Sequence, residues 1–205
     1  MFQGITHRGS LKGKDFLLNE YFRGIVAFEN HLGPVFIKVS NSFSTKRKAE
    51  LIEFLEKLPK DLQFFVEVRH PDWFQPKVAE EFFEQLYNMN IGAVITDTAG
   101  RRDCAHMYTT LPKTFIWYVG NSLHETDFSR IDGWVKRKKR WLNNGMKEIY
   151  FFMHMHDEAL SPELTVYLNE KLNKECDLHL QVPAFITETE GLKLVRKKLK
   201  EKSKS

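Results

Sequence analysis

The sequence predicts a parallel α/β fold of the (β/α)-barrel type: about five strands plus a strand remnant, incomplete on its N-terminal side. Three observations carry this. Short β-favouring runs alternate with stretches of helical periodicity through short connections, the pattern of parallel βαβ units. The five strands end in, or run into, polar groups: Lys38; Glu67, Arg69 and His70; Asp97; Asn121; His154 and His156. Parallel α/β folds bind ligands at that edge, where strand ends and loops converge. No glycine-rich phosphate loop of the dinucleotide-binding or P-loop type is present, which favours a barrel arrangement.

In chain order, Ile5-Thr6-His7 reads as the end of a strand. Lys14–Asn30 is a helix, with Phe16, Leu17, Tyr21, Ile25 and Phe28 recurring at helical spacing. Gly33-Pro34 punctuates, and Val35–Val39 is a strand interrupted by Lys38. Ser44 or Thr45 is placed to cap a helix reaching Leu58, which Pro59 ends. The strand from Phe64 follows, and Pro76 opens a helix to Met89. Ile91–Thr96 is a strand, 99–113 is irregular, and Phe115–Val119 is a strand closed by Gly120-Asn121. Ile131–Asn143 is a helix stopped at Gly145, Glu148–Met153 a strand, and Ser161–Asn173 a helix. One barrel domain is expected over 1–180, then a C-terminal segment and basic tail over 181–205.

Composition excludes several classes. The 205 residues suffice for one domain with a sizeable core, and 42% hydrophobic with 28% charged content is ordinary for a globular protein. No apolar run approaches the ~20 residues of a membrane span, and the first residues lack the pattern of a signal peptide. Cys104 and Cys176 make neither a disulfide framework nor a zinc cluster, so a reducing, cytoplasmic setting is expected. Net charge is +4, but residues 193–205 hold seven Lys or Arg and one Glu, which leaves the rest slightly acidic. That disfavours nucleic acid as a partner. The basic run Lys136–Arg140 sits between Trp134, Val135, Trp141 and Leu142 at helical spacing, so four of its five charges fall on a solvated face.

The chemistry concentrates in Phe64-Phe65-Val66-Glu67-Val68-Arg69-His70-Pro71-Asp72-Trp73. Strand alternation puts Phe65, Glu67 and Arg69 on one face and Val66, Val68 and His70 on the other. An inward Glu beside an inward Arg is costly to bury unless the two pair or meet a ligand. A structural ion pair closing the strand and an active-site acid beside an anion clamp are both consistent with the spacing.

This stretch resembles the Val-Glu-Phe-Arg-His-x-x-Trp signature of the domain of unknown function 72, or YecE-like, family. Ile5-Thr6-His7, Leu32-Gly33-Pro34 and Thr96-Asp97 fit the same pattern in order, and the resemblance covers residues 1 to 180. It implies a TIM-barrel fold and a site at the C-terminal strand edge, but no established reaction. The departures are specific. The family's Gly-Thr-Ser-Gly-Trp-like opening is absent. Lys38 stands where Gln is usual, Trp117-Tyr118-Val119-Gly120 where Arg-x-His-Gly is usual, and His154 and His156 where Asn-Asn is usual. Five strands and a remnant cannot close an eight-stranded barrel. The expectation is therefore a misplaced start, a fragment, or a partner on the open sheet edge.

The candidate catalytic residues are Glu67, His70 and Asp97; the candidate substrate-binding residues are Arg69, Trp73, Lys38 and Asn121. His154 and His156, two apart at a strand end, share a face and with Asp157, Glu158 or Asp97 form a candidate site for Zn²⁺, Mn²⁺ or Fe²⁺. His7 reaches the same rim only in a complete barrel. The expected function is acid/base or metal-assisted hydrolysis of a small anionic substrate, with Glu67 as acid/base and Arg69 as anion clamp. The alternatives are a non-catalytic interaction module that self-associates through an open sheet edge, and an inactive fragment of a longer barrel.

Overall fold

The computed structural model describes residues 3–7 and 9–185, the side chain of Gln3 excepted. The basic tail expected at 193–205 lies outside these residues. Five strands form one parallel sheet in sequential order: β1 (Val35–Lys38), β2 (Phe64–Glu67), β3 (Gly92–Thr98), β4 (Lys113–Val119) and β5 (Glu148–His154). The helices are α1 (Gln3–Thr6), α2 (Asp15–Val26), α3 (Lys48–Glu56), α4 (Pro76–Asn88), α5 (Glu125–Asn143) and α6 (Ser161–Cys176). No helix among them is long and apolar enough to cross a membrane.

The sheet is curled. Phe36 of β1 stacks on Phe115 and Trp117 of β4, with ring centroids 5.1 and 5.4 Å apart. In a flat sheet those strands would stand roughly 14 Å apart, three spacings of about 4.8 Å. The concave face is filled by rings from alternate positions, including Phe65, Phe115, Tyr150 and Phe152. Gly92 belongs to this packing: a Cβ there would stand 2.2 Å from the Phe65 ring.

The opposite parity faces the helices and builds two further clusters. Val35, Ile37, Phe64 and Val66 pack with Leu51, Leu55, Phe82 and Leu86. Ile95, Ile116 and Tyr118 pack with Ile131, Trp134, Leu164 and Leu168. A parallel sheet covered on both faces reads as continuous apolar runs, which explains the strand sequences here.

Several boundaries differ from the sequence reading. Ile5-Thr6-His7 is not a strand end. Gln3–Thr6 forms one helical turn that buries Ile5 fully, and neither edge of the sheet pairs with it. Helix α2 packs through Leu18, Tyr21, Phe22 and Ile25, whereas Phe16 and Phe28 are exposed. Neither Ser44 nor Thr45 caps α3; Thr45–Arg47 is a 3₁₀ turn entered without a side-chain cap bond. Helix α5 begins six residues before the expected Ile131, because the His124 side chain accepts from Thr126 N and buried Asp127 accepts from Asn121 N at 2.7 Å. Its first turn is polar, so apolar periodicity did not reveal it.

Candidate functional site

Glu67 closes β2 on the concave face and is completely buried. Its Oε1 accepts from Arg69 Nε and from Thr96 Oγ1, each at 2.5 Å. Its Oε2 has no partner among the described residues and almost no solvent contact. Burying a carboxylate oxygen without a donor costs free energy unless a water or a ligand atom meets it.

Lys38 lies directly across the β1–β2 ladder from Glu67. Burial lowers its pKa; Glu67 counteracts this and the Arg69 guanidinium adds to it. His7, just after α1, sits within the same field. Burial and the Lys38 charge lower its pKa while Glu67 opposes, and its Nδ1 lies 3.0 Å from Thr6 Oγ1. The chain after β3 clasps the far end of β2: Arg101 Nη2 donates to Arg69 O at 3.3 Å and Arg101 pairs with Asp103. One end of the sheet thus gathers His7, Lys38, Glu67, Arg69 and Thr96. Thr96 was not among the expected site residues. Its parity on β3, two positions from Val94 of the concave cluster, is the signal that identifies it.

Four expected residues lie elsewhere. Asp97 has the other parity and faces the helices. Trp134 Nε1 donates to its Oδ2 at 2.6 Å, Arg130 Nη2 to its Oδ1 at 3.0 Å, and Arg102 pairs with the same oxygen. It joins β3 to α5 and does not meet Glu67. Trp73 is fully buried in the core, donates from Nε1 to Phe43 O at 2.7 Å and packs on Phe82. The Asn121 side chain is exposed, and its backbone serves the start of α5. His70 accepts from Asp72 N and caps the 3₁₀ turn Pro71–Phe74, so its ring orders the loop after β2.

The proposed histidine pair is also separated. His154 points to the concave face, packs on Trp117 at 4.4 Å and pairs with Glu158. His156 lies beyond β5 and is exposed. Among the described residues no three His, Cys, Asp or Glu side chains gather as a metal site. Cys104 is a buried thiol whose Sγ donates to Arg101 O, and burial raises its pKa.

Residues 1–187 match one family model, described as protein of unknown function DUF72. The chain belongs to the DUF72 family. It is 25% identical over 200 residues to the UPF0759 protein YecE of Escherichia coli K12, an alignment covering 88% of this chain and 73% of YecE. Among solved structures it is similar to DUF72 family proteins of Thermotoga maritima MSB8 and Enterococcus faecalis V583. The first gives a TM-score of 0.62 at 21% identity, covering 84% of this chain and 71% of that one. The second gives 0.61 at 13% identity, covering 85% and 70%. These likenesses establish the α/β TIM-barrel-like fold. For DUF72 the family description names no reaction.

Proposed function

We propose that this DUF72 protein binds a small anionic molecule, a phosphate or carboxylate compound, at the C-terminal edge of β1–β3 and hydrolyses it by acid/base chemistry. The observation that supports this is the pair of cations flanking buried Glu67. Arg69 commits only its Nε to Glu67, and neither its Nη nitrogens nor Lys38 Nζ meets an acceptor among the described residues. Two cations against one carboxylate leave a net positive site, and partly buried donors without acceptors favour an anion. The Arg69 fork suits a planar carboxylate or a phosphate edge, with Lys38 as a second point charge. Glu67 Oε2 is the acceptor left for a proton from an attacking water, and Thr96 and Arg69 hold its partner oxygen in place. We place the reaction in a reducing, cytoplasmic compartment, in keeping with unpaired Cys104 and Cys176.

The test is melting temperature and turnover across a panel of small phosphate and carboxylate esters, with inorganic phosphate as the simplest ligand. Phosphate should raise the melting temperature of the wild type but not of Lys38→Ala/Arg69→Ala. Glu67→Gln should keep that shift and lose hydrolysis. If no anion shifts the melting temperature, or the double variant responds like the wild type, the site is misassigned.

A second reading is supported by Phe152. It lies on the interior face of β5, a sheet edge among the described strands, and is 44% exposed. An exposed aromatic on an unpaired edge favours strand addition by a second copy of the chain. Light scattering after size-exclusion decides this: a monomer at all concentrations refutes it.

A further inference from the structure

A cavity lies between α5, β5, α6 and the chain after α6, with a volume of about 470 Å³. That is within the range of small-molecule sites. Its walls are apolar: Leu142, Ile149, Leu168, Leu172 and Leu178. One wall is strapped in place. Asn169 donates to Gln181 O, while Asn173 donates to Leu180 O and accepts from Leu180 N.

One charged side chain enters it. Lys138 is 3% exposed, and its Nζ sits 3.6 Å from the centre of the Phe151 ring. No carboxylate and no hydrogen-bond acceptor meets that nitrogen among the described residues. The titratable group it senses is the Cys176 thiol. Burial lowers the Lys138 pKa to about 7, so its apolar surroundings do not support its charge well. An ammonium in an apolar pocket is stabilised when an anion pairs with it. The remaining polar liner, Thr165, donates its hydroxyl back to Ser161 O and brings no charge.

We propose that this pocket binds an aliphatic monocarboxylate, with its chain along the leucine walls and its carboxylate on Lys138 Nζ. This site is separate from the Glu67 edge and does not depend on the function proposed there. Decanoate is the probe, titrated calorimetrically below its micelle concentration against the wild type and Lys138→Met. The variant keeps the side-chain length and exchanges a buried charge for an apolar group, a change that cores tolerate well. The wild type should bind one decanoate, and decanol at least tenfold more weakly. Octanoate, two methylenes shorter, should bind on the order of tenfold more weakly. Lys138→Met should lose the preference for decanoate over decanol while melting no lower than the wild type. Inorganic phosphate should not displace the ligand. Absent saturable binding, an unchanged preference in a folded Lys138→Met, or competition by phosphate would each overturn the proposal.

Discussion

Asp97→Ala should weaken the junction of β3 with α5 and leave anion binding at Glu67 intact. The carboxylate is 5% exposed and accepts from Trp134 Nε1 at 2.6 Å and Arg130 Nη2 at 3.0 Å. Hydrogen bonds to a charged group contribute about 1.5–3 kcal/mol each, so losing both suggests roughly 3–6 kcal/mol. Two features decide where in that range the cost falls. Arg102 is largely exposed, so its pair with Asp97 adds little. Arg130 keeps Asp127 Oδ1, Val119 O and the backbone carbonyl of residue 97, so its charge is not stranded. Trp134 Nε1 does lose its only acceptor among the described residues. The lower end, about 3 kcal/mol, follows. For a chain of this size that is a fall in melting temperature of about 10 °C. In urea, with a slope near ~2 kcal/mol/M, the midpoint should drop about 1.5 M at unchanged slope. Combined with Trp134→Phe the losses should add to less than their sum, because both act on one bond. A loss under about 1 kcal/mol would refute the energetic reasoning. Loss of the phosphate-induced melting shift in the folded variant would refute the separation of Asp97 from the site.

Two further outcomes follow from groups elsewhere, half-buried His106 and buried Gly92. His106 donates from Nε2 to Val94 O, stacks on Phe74, and burial lowers its pKa to about 4. The unfolded chain therefore takes up this proton first as pH falls below about 6.5. Stability from this residue is complete above that pH and declines toward pH 4, by about 3 kcal/mol in all. Urea titrations at pH 7.5 and 4.5 should show the decline in the wild type and a flatter dependence in His106→Gln; equal slopes would exclude His106 as its source. Gly92→Ala places a methyl 2.2 Å from the buried Phe65 ring and should cost about 1–3 kcal/mol in a urea melt. A neutral result would mean that the concave aromatic packing is looser than its ring contacts indicate.

How much of this was legible in the sequence turns on strand parity. The five strands and their order could be read because each is a short apolar run between helix-period segments and turn residues. Glu67 and Arg69 could be placed together because they lie two apart on one strand, and the structure joins them. Asp97 could not be placed, because Ala93, Val94 and Ile95 are all apolar and all buried. Where both faces of a sheet are covered, hydrophobicity does not say which residues point inward. Pairing supplies the missing information: Phe65 opposite Gly92 and Val66 opposite Ala93 set β3 so that Thr96 shares the face of Glu67 and Asp97 does not. The same register separates the polar groups at the strand ends into two sets. Lys38, Glu67, Arg69 and Thr96 converge at one end of the concave face, while Asp97 faces the helices with its acceptors filled. A polar residue at a strand end is therefore a candidate for chemistry only once its parity relative to a neighbouring strand is known. In this fold that criterion selects Thr96 and rejects Asp97, one position away.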